Sequence, residues 1–551
     1  MKFGLSGAEA LAALILWLMT SPVTSAPFAR PANASGTFGL YPAMDFRVVA
    51  GACTDCPTIR QALWYFDAET IAVPKSGLPV AAFATGVRTF DDVRAWASQF
   101  HDPTAPIQYP PLVWIAAPLI VIHARLSMDG RHLIAHDGWV TVRPVSKIAL
   151  NRSYFDASSI AFLSQRMVTV RGTCVDHAFV ARTFWPEDFR FDGEPPPVRA
   201  LPPAATPAAS LRAWMREEPR GGAQSPFQAN TLWRREDASA GWAERPVLAL
   251  IVNGAQGDDD EAHAGHFAIV TGRVRADGTI GGWLVNNYYP LDTESEKGIL
   301  PAPVPLDNYL GDLNAGQSWY RPSYLLVAVL RDERAAALVQ SALNRVYNQF
   351  YRHQLQYYHP TANCTSISMD MLRALGWTIP SRSPSGLLLA WLGFPYLVLR
   401  QRSLAKAKVT FDYLCADQTR LLPAAALEEA FSSLLAIARG EPGGDGRLGA
   451  MLREDLDALA LLRMPQFPSS RAVGDAPAAS MAEYRARLPD DPTQMQIVPV
   501  PNRPFPPELR DPDLLKRDIR PSDYGVLLWA TGFAAGVAWL LWTAWRHLAG
   551  S

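Results

Sequence analysis

Between residues 246 and 289 the chain sets short apolar runs against turn signals in the pattern of a buried antiparallel sheet. Pro246–Val252 is one such run. Gly265-His266-Phe267-Ala268-Ile269-Val270-Thr271-Gly272 is a second, and it opens on a histidine. Asp277-Gly278 is a turn pair that favours a tight hairpin. The returning run is Trp283-Leu284-Val285-Asn286-Asn287-Tyr288-Tyr289. If Asp277 and Gly278 form the turn, position 266 faces 289 and 268 faces 287. Side chains two apart share a face, which makes His266 and Asn287 diagonal neighbours. Asn286 then points to the other side, and a bulge at Gly281-Gly282 would exchange the two asparagines.

An imidazole beside a side-chain amide has an orienting partner for one ring nitrogen and leaves the other free. Further along, Asn363-Cys364-Thr365-Ser366 opens an apolar helical pattern through Ile367, Met371, Leu372 and Leu375. Asn363 is a good N-cap. Cys364 in the first turn feels the positive end of the helix dipole, which favours thiolate. Its backbone N–H lies outside the helix ladder and is a candidate oxyanion donor. The Asn363 amide is either a second donor or simply the cap. Cys364, His266 and Asn287 are therefore the candidate catalytic residues. The plainer reading of Cys364 is a buried, inert thiol.

Other clusters carry less. Cys174-Val175-Asp176-His177 places Cys and His on opposite faces of a strand. The acidic run Asp258–Glu261 fits a solvated loop, and His263 with His266 lacks further zinc ligands. No metal and no cofactor is expected.

The His strand, the Asn-Tyr strand and the Asn-Cys-Thr-Ser helix start are similar to the parts of papain-like thiol enzymes. Their order here is His, Asn, Cys, so the chain resembles circularly permuted members such as the NlpC-type and lecithin–retinol acyltransferase-like enzymes. Within that group it looks most like the periplasmic domain of Lnb-type lipoprotein N-acyltransferases. The likeness runs from about residue 225 to 380. It implies a Cys–His enzyme that forms a thioester and acts by acyl transfer or amide hydrolysis on a lipoprotein- or peptidoglycan-type substrate of the cell envelope. The competing reading is a non-catalytic envelope scaffold.

The expected fold class is α+β: a permuted papain-like domain over 225–420, preceded by a β-rich accessory domain over 38–185 and followed by a C-terminal transmembrane helix. Residues 186–224 read as a Pro/Ala-rich linker. The segment from 331 to 358 reads as one helix ended by His359-Pro360, and 420–463 reads as helix. Residues 465–521 form a Pro-rich tether. Gly386–Leu399 is an apolar stretch too short to span a bilayer comfortably. It is either a core helix or a surface helix dipping into a membrane, with Arg400, Arg402, Lys406 and Lys408 suited to headgroups.

Residues 1–25 have the charged start, apolar core and small residues of a signal peptide. Tyr524–Trp545 is uncharged and, at about 22 residues or about 33 Å of helix, long enough to cross a bilayer. Gly532 and Gly536 form a small-residue pair within it. These features predict a single C-terminal pass in a bacterial inner membrane, with the catalytic domain in the periplasm. The expected partners are therefore the membrane and a lipid-linked or peptide envelope substrate. A net charge of −1 with no basic block argues against nucleic-acid binding. Of the five cysteines, Cys53 and Cys56 are close enough for a disulfide or half of a metal site. Cys174 and Cys415 are a possible second pair, which leaves Cys364 as the odd thiol.

Overall fold

A computed structural model describes residues 28–488 apart from 52, 54–55, 57–59, 67–68, 83–85, 100–106, 146–154, 219, 221–225, 239–240, 256–263, 289–300, 385, 442–445 and 471–472; it also describes 506, 508, 536, 539 and 542. Among these residues, seven strands form one antiparallel sheet. Their order is Gln228–Arg234, Leu456–Met464, Ser323–Leu330, Pro246–Asn253, His266–Arg273, Leu284–Asn287 and Ala302–Pro305. The inner strands Pro246–Asn253, Ser323–Leu330 and Leu456–Met464 are buried along their whole length. Continuous apolar sequence is what a strand covered on both faces requires. Helices Arg334–Tyr351, Cys364–Ala374 and Pro423–Ala438 pack against the sheet.

The register of the critical hairpin follows the sequence expectation. Ile269 pairs with Asn286 and Val270 with Val285, so 268 stands opposite 287. The turn itself is displaced by one residue. The N–H of Gly278 donates to the Arg275 carbonyl, which centres the turn on Ala276 and Asp277. A second tight turn, with the Trp283 N–H donating to Ile280, absorbs the extra residues and restores the pairing.

Residues before 187 build three further β units, the smallest being the pair Thr37–Phe38 and Tyr41–Pro42. Phe46–Ala50, Thr70–Pro74 and Val113–Trp114 make a small antiparallel sheet. Strands Leu119–Leu126, His132–Ala135, Gly138–Pro144, Val168–Val175 and Ala178–Pro186 close into a barrel, because the first pairs with both the second and the fourth. The third and fifth run parallel, and helix Ala157–Ser164 sits between the third and fourth. This is the Greek-key order of an OB-type barrel. Asp176 and His177, both at positive φ, form the turn between its last two strands. The Cys174–His177 cluster is thus hairpin chemistry.

The barrel and the central sheet share one core. Val121, Val170 and Phe184 belong to the same buried cluster as Leu250, Leu326 and Leu461. The segment read as a linker contributes to it, with helix Pro207–Met215 burying Leu211 and Trp214. Ion pairs tie the N-terminal residues to the sheet domain and to one another. Arg171 Nε donates to Asp307 at 2.8 Å, with both side chains about 5% exposed or less. Arg182 meets Asp312 at 2.8 Å and Glu69 at 3.1 Å, and Arg345 meets Asp92 at 2.6 Å.

Several expectations are corrected. The chain is a mixed α/β protein with 13 α-helices among the described residues, and none of them is long and apolar enough to cross a membrane. The α+β class with a C-terminal transmembrane helix is replaced accordingly, and so is the single-pass inner-membrane placement with a periplasmic catalytic domain. A spanning helix needs both length and an unbroken apolar surface. Arg334–Tyr351 has 18 residues but carries Arg345, Asn344 and Asn348. Leu387–Gln401 is apolar but has 15. In Tyr524–Trp545 only Gly536, Trp539 and Trp542 are described, and the signal-peptide residues 1–25 lie outside the described residues.

The region read as helix over 420–463 holds the separate helices Pro423–Ala438 and Arg447–Asp455, and its last part is not helical. Leu456–Met464 is a strand between two others. Its Leu-Ala-Leu-Leu composition favours helix locally, and burial between two strands overrides that preference. Cys53 and Cys56 are disulfide-bonded, whereas Cys174 and Cys415 are both free thiols.

Removing one partner of a buried ion pair strands the other charge in low dielectric. Arg171→Ala is expected to lower stability by about 3–5 kcal/mol, read as a fall in the urea midpoint. Breaking the exposed Arg94–Asp91 pair, with side chains 62% and 53% exposed, should leave the midpoint where it is.

Candidate active site

The histidine is placed by the chain just before its strand. Gly265 sits at φ 101°, and a Cβ there would lie 2.5 Å from the Asn253 carbonyl oxygen. Only glycine accommodates both constraints. His266 follows as the first strand residue, paired with Asn253 and 7% exposed. Its Nε2 stands 2.7 Å from Oδ1 of Asn287. Because an amide oxygen only accepts, Nε2 carries the proton and Nδ1 is the nitrogen left for a reacting partner.

Asn287 is the asparagine that the register places beside His266. Asn286 faces the other way, where its amide donates to Gln340 and to the Ile269 carbonyl. Gln340 in turn donates to Asn286 and Asn344. That polar cluster holds helix Arg334–Tyr351 on the sheet and takes no part in the histidine site.

Cys364 opens helix Cys364–Ala374, as its sequence context predicts. Asn363 is the N-cap. Its Oδ1 accepts from the N–H of Thr365 at 2.9 Å and of Ser366 at 2.8 Å. Ser366 Oγ accepts from the Asn363 N–H at 2.7 Å, which completes a capping box. Asn363 Nδ2 donates to the His359 carbonyl at 2.6 Å. Of the two roles open to Asn363, the structure uses it for capping.

The structure brings the thiol and the imidazole together. Burial raises the Cys364 thiol pKa. The His266 charge and hydrogen bond, the Phe267 N–H and the Thr365 hydroxyl outweigh it and bring the thiol down to about 6. Thr365 Oγ1 lies 3.8 Å from the sulfur. The thiol is therefore mostly thiolate at neutral pH, the state needed for nucleophilic attack.

Two features were not legible in the sequence. The helix expected to run to Tyr358 stops at Tyr351, with His353 in the left-handed region. No glycine or proline marks that stop. The released loop carries Tyr357 over the nucleophile, where its hydroxyl accepts from the Cys364 N–H at 3.3 Å. The Cys364 N–H is thus occupied, contrary to the expectation of a free donor. Burial holds the Tyr357 hydroxyl protonated, with its pKa well above the ordinary value. It accepts from the nucleophile's amide and retains a proton to donate. The second feature is a buried chain under the histidine. Tyr309 Oη donates to Asn253 Oδ1 at 2.5 Å, and Asn253 Nδ2 donates to Ser323 Oγ at 2.7 Å. The Tyr309 ring lies 6.4 Å from the imidazole. Strand pairing unites Asn253 with Ser323, and the short helix Leu306–Gly311 brings Tyr309 to them.

Among the described residues no group of three or more His, Cys, Asp or Glu side chains is placed to hold a metal ion. No family model, curated protein or solved structure matches this chain.

The pH dependence of thiol alkylation checks the geometry. The rate constant for iodoacetamide at Cys364 should rise through a midpoint of about 6 and stay flat at neutral pH. His266→Ala removes the first lowering influence, so the midpoint should move up toward the ordinary thiol value and the rate at pH 6 should drop. Peptide-level mass spectrometry separates Cys364 from Cys174 and Cys415.

Proposed function

We propose that this protein is a cysteine-dependent acyl-transfer enzyme of papain-type chemistry, acting on an amide or ester carbonyl of a lipid-linked or peptide substrate. The observation that carries the proposal is the His266 ring, held by the Asn287 amide oxygen on one side and acting on the Cys364 thiol on the other. The order of these residues along the chain matches the permuted thiol enzymes that the sequence resembles.

In the proposed reaction the Cys364 sulfur attacks the carbonyl carbon, and the former thiol proton resides on His266. The carbonyl electrons move onto oxygen. Tyr357 Oη is positioned beside the nucleophile's N–H to donate to that oxyanion. As the tetrahedral species collapses, the bond to the leaving amine or alcohol breaks and His266 returns its proton to that group. The product is a thioester on Cys364. An incoming water or amine then gives a proton to His266 as it attacks the thioester, and the thiolate leaves. Water completes a hydrolysis; an amine completes a transfer. Asn287 is a positioning residue in this scheme, since it holds the ring so that Nδ1 is presented to the sulfur.

A soluble activated ester such as p-nitrophenyl acetate serves as a test acyl donor. Intact-mass measurement should show one acetyl group on the wild-type protein, removable by hydroxylamine and absent in Cys364→Ala. His266→Ala should slow its formation by about 10²–10⁴-fold. Acetylation that persists in Cys364→Ala, or that is indifferent to His266, would return the protein to the scaffold reading.

A further inference from the structure

We infer that the helical pair Leu387–Gln401 and Leu404–Cys415 is a docking surface for an anionic lipid bilayer. The two helices pack on each other through a narrow seam. Trp391 and Phe394 each meet Phe411 at 5.3 Å between ring centroids. Ala390, Phe394, Ala407 and Leu414 are the residues buried there. The first helix also carries a run of exposed apolar side chains. Leu388 is 73% exposed, Leu392 61%, Tyr396 61% and Leu399 78%, and these four fall along one helix face. Leu387, Leu389 and Leu404 are also exposed. Seven of the 16 exposed large apolar side chains among the described residues thus come from this helical pair, six of them from its first helix. A contiguous patch of that kind marks an interaction surface, unlike singly scattered residues. It also settles the alternatives for Gly386–Leu399: this is a surface helix, since a core helix would bury that face.

Charge and length identify the occupant. Arg400, Arg402 and Lys406 surround the turn between the helices, and none forms an ion pair among the described residues. Lys408 is paired with Asp412 at 2.6 Å. An apolar face rimmed by uncommitted cations complements acyl chains beneath anionic headgroups. A helix of 15 residues extends about 22 Å, too short to cross the apolar layer but suited to lying in its interface. A second copy of the chain fits poorly, because a two-fold contact through this face would bring the same three cations together.

The pair is tied directly to the candidate site. Tyr358 Oη donates to Asp412 Oδ2 at 2.9 Å, while its neighbour Tyr357 holds the Cys364 N–H. Docking would set the loop over the nucleophile against the lipid surface. The inference does not require the thiol reaction to be correct, since it stands on the exposed face and its charges.

The test is photolabelling of the full-length protein with vesicles of phosphatidylcholine and phosphatidylglycerol that carry a diazirine phospholipid. Labelled peptides are mapped by mass spectrometry, so that contacts made elsewhere in the chain are read separately. Label should appear within 387–404. It should fall at least about tenfold when Leu388, Leu392 and Leu399 are all changed to Asp. Replacing Arg400, Arg402 and Lys406 with Gln keeps the apolar face and should weaken labelling on anionic vesicles by about fivefold per charge removed. An unchanged pH profile of Cys364 alkylation shows that each variant is folded. Absence of label from 387–404 in the wild-type protein overturns the inference. So does a dimer, seen by sedimentation, that the triple Asp variant dissolves while the lipid label is absent.

Discussion

The contact between the start of helix Cys364–Ala374 and the start of strand His266–Arg273 is the constraint on which the candidate chemistry depends. Each reactive side chain occupies the first position of its element. An element end is where backbone donors are unsatisfied and where side chains reach past the regular lattice. Placing two ends together gives a thiol within reach of an imidazole, a helix dipole and the Phe267 N–H at once. The same juxtaposition inside two regular elements would leave those N–H groups committed to their own ladders. The capping box at Asn363 fixes where the helix begins, and Gly265 fixes where the strand begins.

Much of this was legible because it is local. Strand periodicity, the turn near Asp277 and the N-cap at Asn363 are short-range signals with direct physical causes. Register arithmetic alone separated Asn287 from Asn286, and two compensating turn shifts preserved it. What could not be read has long-range causes. Leu456–Met464 has helix-forming composition, and becomes a strand because strands at 228–234 and 323–330 flank it. The stop at Tyr351 lacks a breaker, so Tyr357 could not be assigned to the site. The shared core joining barrel and sheet was invisible because linkers and packed segments use the same Pro and Ala. Hydropathy at Tyr524–Trp545 supplied an expectation that the described structure does not support, since apolarity is required of a spanning helix but does not by itself establish one.

Burial and charge divide the labour within the molecule. Arg171–Asp307, Arg182–Asp312 and Arg345–Asp92 lie between the N-terminal units and the sheet domain. Pairs of this type contribute little net stability over an apolar replacement, but a mismatched partner is severely penalised. They therefore select one relative placement of the N-terminal units and the sheet domain. At Cys364 burial opposes the charged form, and the His266 charge, the Phe267 N–H and the Thr365 hydroxyl outweigh it.

The strand Leu456–Met464 also has a consequence for how the chain is made. It is the partner that joins Gln228–Arg234 to the rest of the sheet. A ribosome adding about 5–20 residues per second emits the earlier strand roughly tens of seconds before its neighbour emerges. From the time Ser323–Leu330 emerges until that neighbour follows, the growing sheet exposes an open edge on a strand that is buried along its whole length in the finished fold, an edge of the kind that invites mispairing. Synthesis of this protein thus includes a vulnerable waiting period, ended only when a nine-residue segment emerges.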